Sequence, residues 1–330
     1  MSRRRAHHAD VGEAAASGDD TTAIQAALDG GFAVVRGLPG QDYNVATLTV
    51  PAGVTLDMTG CTVTQMDAIP AVLCTLPGDG AAIIGGTWDG NTAGQTTANA
   101  GLLVTGDDCA IVNARVENTR GTGIYLAGAN RPRVTGCTVV DTGYIGIFAE
   151  TSGSSITGVL IRDCHVDRSA LSAATIAEGG IKVHGQSAVI VAEHTRIESC
   201  TVALPTSPVD GSAVAIETTY CPRSAVLGCS TLGGAIGISL AASDFSVVSG
   251  NNTRGASTYG VENAGSDRGR IDLPAQQRHG RGDALRQGIW HREHGLGRQV
   301  APGISAVTGP RPGPGDGTLG PWLPGPRASG

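Results

Sequence analysis

The feature that most constrains this chain is a two-part repeat with a period in the twenties. A turn residue, a small residue and a short alternating strand recur as GCTV at 60, GGTW at 85, NARV at 113, GCTV at 136, DCHV at 163, SCTV at 199, GCST at 228 and GNNT at 250. The steps are 25, 28, 23, 27, 36, 29 and 22 residues, the longest reflecting an insertion near 170 to 180. A second ladder aligns independently and in the same phase: Leu102-Leu103-Val104, Ile124-Tyr125-Leu126, Ile147-Phe148-Ala149, Ile181-Lys182-Val183, Val214-Ala215-Ile216, Ile238-Ser239-Leu240 and Val261-Glu262-Asn263. Its outer positions are mostly aliphatic while the middle one varies, the period-2 pattern of a strand with one buried face. Units of this length cannot bury their apolar faces alone and do so by stacking on their neighbours, so the chain is expected to form a solenoid.

The turn position holds Gly, Gly, Asn, Gly, Asp, Ser, Gly and Gly, all but Ser199 being residues that tolerate a left-handed backbone. Five of the eight cysteines, Cys61, Cys137, Cys164, Cys200 and Cys229, take the next position. Free cysteine behaves as a small buried hydrophobe, so an internal stack of reduced thiols is expected there rather than a disulfide or metal framework. No CxxC or Cys/His cluster with zinc-like spacing occurs. A leucine-rich solenoid would need a repeated leucine and asparagine pattern, which is missing. The fold that fits is all-β, a right-handed parallel β-helix.

From Gly18, GDDTTAIQAALDGG reads as a short amphipathic helix, with Asp19 or Asp20 as N-cap, Ile24, Ala27 and Leu28 on one apolar face and Gly30-Gly31 as the stop. Strands separated by Pro-Gly and Pro-Ala-Gly turns follow. This helix, a strand, LPGQDYNV and then LTVPAGVTLDMTG together resemble the opening module of the pectate-lyase-like superfamily of β-helix proteins. The resemblance covers roughly 18 to 265. It implies that the helix caps the open end of the first coil and that the strands beginning Gly-Ile form the sheet carrying the substrate cleft. Because the superfamily includes polysaccharide lyases, polygalacturonases, epimerases, phage tail spikes and non-enzymatic adhesins, it implies a fold more strongly than a reaction.

The organisation expected is a leader over 1–17, a cap and first strands over 18–60, β-helix repeats over 61–265 and a Gly, Pro and Arg-rich tail over 266–330. The tail reads either as disordered or, given 22 Arg against one Lys in the chain, as the out-of-frame product of a GC-rich gene. Residues 1–265 carry 14 basic and 24 acidic side chains, a balance of −10 that argues against nucleic acid as a partner. The N-terminus is basic but has no apolar run behind it, so neither a secretory signal nor a membrane span is visible, and no membrane partner is expected.

The outward positions of the Gly-Ile strands are where chemistry is expected. Three residues after each first aliphatic come Thr105, Ala127, Glu150, His184, Glu217, Ala241 and Ala264, so three ionisable groups fall on successive coils. At ~4.8 Å per coil, Glu150 and Glu217 would stand roughly 9 to 10 Å apart with His184 between them, a separation that suits an inverting glycosidase pair. Lys182, the single lysine, offers a cation for a uronate or sialate carboxylate, or a base. Tyr125 and Phe148, one coil apart, suggest a sugar platform, with Tyr144 on the turn ahead as a further substrate contact. The candidate catalytic set is Glu150, Lys182, His184 and Glu217; no resident metal is expected, and a Ca²⁺ ion would enter only if the reaction is β-elimination. Any solvated solenoid face also carries outward charges of this kind.

Gly106-Asp107-Asp108-Cys109 resembles the GDDC motif of polygalacturonases, but it follows Leu102-Leu103-Val104 instead of leading into a Gly-Ile strand, so its aspartates are expected to be turn residues. Trp88-Asp89-Gly90-Asn91 resembles a coil-closing turn of β-helices. The function expected is that of a polysaccharide depolymerase, a lyase or an inverting hydrolase. The alternative is a non-catalytic glycan-binding or structural β-helix of a phage tail or cell surface, a homotrimer if a tail protein.

Overall fold

A computed structural model shows a parallel β-solenoid built from three long sheets, with a two-stranded sheet formed by Ile156–Thr157 and Ala192–Glu193 beside them. It describes residues 8–12, 18–169, 171, 179–205 and 213–265, and the backbone of 270–272 and 285–287. Contacts divide the chain into two units, Met1–His291 and Arg292–Gly330. The second unit lies outside the described residues, as do most of the leader over 1–17 and most of the tail over 266–330.

Each coil gives one short strand to each sheet in turn. Sheet A has 11 strands, from Ala9–Asp10 to Arg270–Asp272; sheet B has 9, from Asp42–Val45 to Asn252–Arg254; sheet C has 10, from Leu48–Thr49 to Leu285–Gln287. Pairing is parallel throughout and matches like with like. Ile83, Ile111, Val134, Ile161 and Ile197 form one buried column of sheet A, and Val116, Val139, Val166 and Val202 form the facing column of sheet B. Each such side chain contributes about 1.5–3 kcal/mol by leaving water. A column of β-branched residues also suits a pleated, half-buried strand.

The turn from sheet A to sheet B explains the first ladder. Its leading residue is left-handed in every coil from Gly85 to Gly250, including Ser199 at φ 53°. That bend turns the next side chain inward. Cys137, Cys164, Cys200 and Cys229 thus stack in successive coils, buried and reduced, as expected. Each thiol donates to a carbonyl of the preceding coil, of Ile111 at 3.5 Å, Val134 at 3.5 Å, Ile161 at 3.7 Å and Ile197 at 3.6 Å.

The helix spans Thr21–Asp29 and buries Ile24 and Leu28. Both aspartates ahead of it are used: the Asp19 carboxylate accepts from the Thr21 N–H at 3.0 Å, and Asp20, at the N-cap position, accepts from the Asn44 N–H at 2.9 Å. The second bond ties the helix to the first strand of sheet B. Within the segment read as a tail, Arg270–Asp272 and Leu285–Gln287 add one strand each to sheets A and C.

Candidate functional site

Sheet C lifts two outward rows of side chains, and their membership follows from register. Ile124, Ile147, Ile181, Ile216 and Ile238 pair in succession. This corrects the expected alignment, in which Val214 stood beside Ile181; Val214 pairs with Gly179 instead. Glu217 therefore leaves the row of Glu150 and His184. It sits between Lys182 and Ser239 in the row Tyr125, Phe148, Lys182, Glu217, Ser239 and Glu262. The place beside His184 belongs to Thr219, and the separation expected for Glu150 and Glu217 within one row loses its basis.

A slip of two residues keeps every side chain on its face, so the alternation of Val214, Ile216 and Thr218 could not reveal it. The residue before each isoleucine could have. It is Gly123, Gly146, Gly180, Ala215 and Gly237, and the space there is small: a Cβ on Gly146 would come within 2.3 Å of a Val166 methyl, and one on Gly180 within 2.1 Å of a Val202 methyl. Ala215-Ile216 is the match to Gly180-Ile181.

The corrected rows hold two linked pairs. The Lys182 Nζ lies 3.1 Å from Glu217 Oε2, with side chains only 14% and 18% exposed. The other carboxylate oxygen of Glu217 accepts from the Thr219 hydroxyl at 2.8 Å, a residue that no motif in the sequence marks. One coil earlier the Tyr125 phenol donates to Glu150 Oε1. Burial, and then the Glu150 carboxylate, pushes that phenol up, so it remains a proton donor. The rings of Tyr125 and Phe148 stack with centroids 5.4 Å apart and planes within 5°; each covers one face of the other, which leaves the pair less of a platform for a sugar ring.

His184 follows Glu150 in the second row. Its imidazole is held below the usual 6.5, first by burial and then by the Lys182 ammonium, against the weaker opposite pull of Glu217 and Glu150. It is therefore a neutral base at neutral pH. Tyr144 lies on the turn between Thr138–Thr142 and Ile147–Glu150, half-buried, its N–H bonded to the Gly121 carbonyl at 3.1 Å. It stands ahead of the strand and on neither row. No group of three or more His, Cys, Asp or Glu side chains that could hold a metal ion occurs among the described residues.

The two look-alike motifs are structural. Asp107 accepts from the Asn130 N–H at 2.8 Å, and Asp108, left-handed at φ 56°, pairs with Arg131 at 2.7 Å, both on a turn from sheet C to sheet A. Trp88 is buried, its indole N–H bonded to the Gly85 carbonyl at 3.0 Å, while Asn91 bridges to the Gln65 carbonyl at 2.9 Å.

The sequence profile of the family described as right handed beta helix region matches residues 100–272. No curated protein matches the chain. Among solved structures, tailspike protein 2 of Escherichia coli O157:H7 bacteriophage CAB120 is similar with a TM-score of 0.64 at 14% identity, over 82% of this chain and 39% of that one. ORF18 of Geobacillus virus E2 is similar at 0.55 and 14% identity, over 78% of this chain and 52% of that one. The tailspike protein gp49 of Acinetobacter baumannii bacteriophage Fri1, a capsular polysaccharide depolymerase, is similar at 0.50 and 12% identity, over 77% of this chain and 50% of that one. The chain thus spans between two fifths and about half of their length, and what these likenesses establish is the fold.

Proposed function

The chain belongs to the right-handed β-helix family, and we propose that it is a carbohydrate-active member, a depolymerase that takes a polysaccharide along the outer face of sheet C. The observation that carries this reading is the Lys182–Glu217 pair at 3.1 Å, largely desolvated on an outward sheet face. Burying such a pair costs about as much as its attraction returns, so stability alone does not account for it. Beside it lie a donor–acceptor couple, Tyr125 and Glu150, and a neutral imidazole, His184. An acid, a base and a polar anchor along two rows are what bond cleavage in a glycan needs. The fold's occurrence in a capsular polysaccharide depolymerase supports the same reading.

In this reading Glu150 acts in its protonated form, delivering that proton to the departing sugar oxygen while its Oε1 keeps the hydrogen bond from Tyr125. His184 accepts the proton released on the other side of the bond, and Lys182 with Thr219 fixes the Glu217 carboxylate. The test is release of reducing ends from a polysaccharide panel by the parent and by Glu150→Gln and His184→Gln. Each variant should lose ~10²-fold or more in turnover, the scale of a lost general acid or base, with melting nearly unchanged because both side chains project outward. Turnover within a few-fold of the parent in both variants would discard this site, and no release of reducing ends by the parent would leave a non-catalytic glycan-binding β-helix.

A further inference from the structure

The outer face of sheet A is too apolar for a surface left to water. In sheet B the outward positions read Thr87 and Asp89, Arg115 and Glu117, His165 and Asp167. In sheet A the strands are apolar on both sides. Beside the inward Ile83, Ile111 and Val226 stand the outward pairs Ala82 and Ile84, Ala110 and Val112, Ala225 and Leu227, each half-buried. Parallel strands that read as continuous apolar runs are those covered on both faces.

The pattern within the pairs says what the cover is. In all three, the first residue of the strand is alanine and the third is a branched aliphatic. Ladder pairing sets the first residues in one outward row and the third residues in another. Between the two apolar stretches, Arg196 stands in the first row and Glu198 in the second. A two-fold axis along the solenoid, midway between the rows, lays the first row of one copy on the second row of the other. Each alanine then receives a branched side chain. Each Arg196, bonded within its own chain to Glu198 at 2.6 Å, also faces the Glu198 of the other copy, so that four charges alternate in sign. Leu160 likewise meets the aliphatic stem of Arg162. Such a contact is isologous, each pair occurring twice. Its pitch is the ~4.8 Å strand spacing, which a second copy of this chain shares coil for coil. The rows run nine coils, from Val34 and Arg36 to Val247 and Ser249, with two outward places in each. With the flanking turns they approach the roughly 20–30 residues a side of a stable interface.

We infer that two copies of the chain pair side by side and parallel through the outer faces of their sheets A, alanine row against branched row. This surface is separate from sheet C, which stays open in both copies.

The experiment is sedimentation equilibrium of the full chain at concentrations up to ~100 µM, above the dissociation constants usual for an interface of standard size. The result expected is a dimer. A monomer throughout, as would follow if the tail covered its own sheet A, or a trimer overturns the inference. Arg196→Glu and Glu198→Arg each set like charges on both sides of the axis and should weaken the dimer tenfold or more. Mixed in equal amounts, the two variants should form a heterodimer at least tenfold tighter than either alone, because every charge then faces an opposite one across the axis. Unchanged dimers in both variants, or a mixture no tighter than its components, would mean that the copies meet elsewhere and overturn the inference. Should either variant misfold by circular dichroism, Leu227→Ala takes its place. Emptying the hollow over the other copy's Ala225 should weaken the dimer tenfold or more, and an unchanged dimer would overturn the inference.

Discussion

His184 shows how a single outward side chain couples site and stability. Its folded-state pKa lies below the ordinary 6.5 because burial and Lys182 both disfavour the cation. A depressed pKa gives stability that is fully present above the unfolded value and is lost as pH falls from about 6.5 toward the folded value. Melting temperature should therefore decline below pH 6.5 in the parent and decline less in His184→Gln, while the acid limb of the rate profile should sit below 6.5. Ser199 offers a second test, because it is the one serine at a left-handed turn that glycine serves at Gly136 and Gly228. Ser199→Gly removes a left-handed cost of about 1–2 kcal/mol and adds about 0.5–1 kcal/mol of unfolded-state freedom. Urea unfolding should find the variant more stable by roughly 0.5 kcal/mol, and a loss would mean that the turn is not strained.

At the scale of the element, the strand Val214–Thr219 marks what the sequence could and could not convey. Its identity as a strand, its inward face and its place in sheet C were legible from alternation. Its register was not, because Val214 and Ile216 satisfy the same alternation and only the narrow space before the isoleucine distinguishes them. The consequence fell on the site: Glu150, His184 and Lys182 kept their places, Glu217 moved one row, and Thr219 went unnoticed. The neighbouring column of sheet B carries another departure from pattern. Val116, Val139, Val166 and Val202 are followed by Thr231, whose hydroxyl is buried without a hydrogen-bond partner. Thr231→Val replaces that hydroxyl by a methyl of similar size and should stabilise the protein by about 1–2 kcal/mol in urea unfolding; a neutral or negative outcome would point to an unseen partner for the hydroxyl.

Across the whole molecule, the fold was legible because period and phase are properties of many coils at once, and errors in one coil leave the pattern standing. The same averaging places Cys137, Cys164, Cys200 and Cys229 in one internal file, all buried. Hydrogen bonding with the preceding thiol, and then burial, pushes Cys164 and Cys200 up to about 12, far from a reactive thiolate; the Cys164 thiol lowers Cys137 instead, so its protection rests on its burial. In the native protein a thiol reagent should label these four slowly, and labelling should rise with global unfolding; fast labelling of one alone would reveal a coil that opens independently. The turn that feeds this file has a further consequence. Gly60-Cys61-Thr62-Val63 and Gly136-Cys137-Thr138-Val139 are the same four residues at the same point of their coils, with steps of 25, 28 and 23 residues between them. A chain in which Thr59 is joined directly to Gly136 would therefore lose three complete coils and keep the same four residues at the joint, so a shortened solenoid made this way should still fold, as circular dichroism and urea unfolding would check.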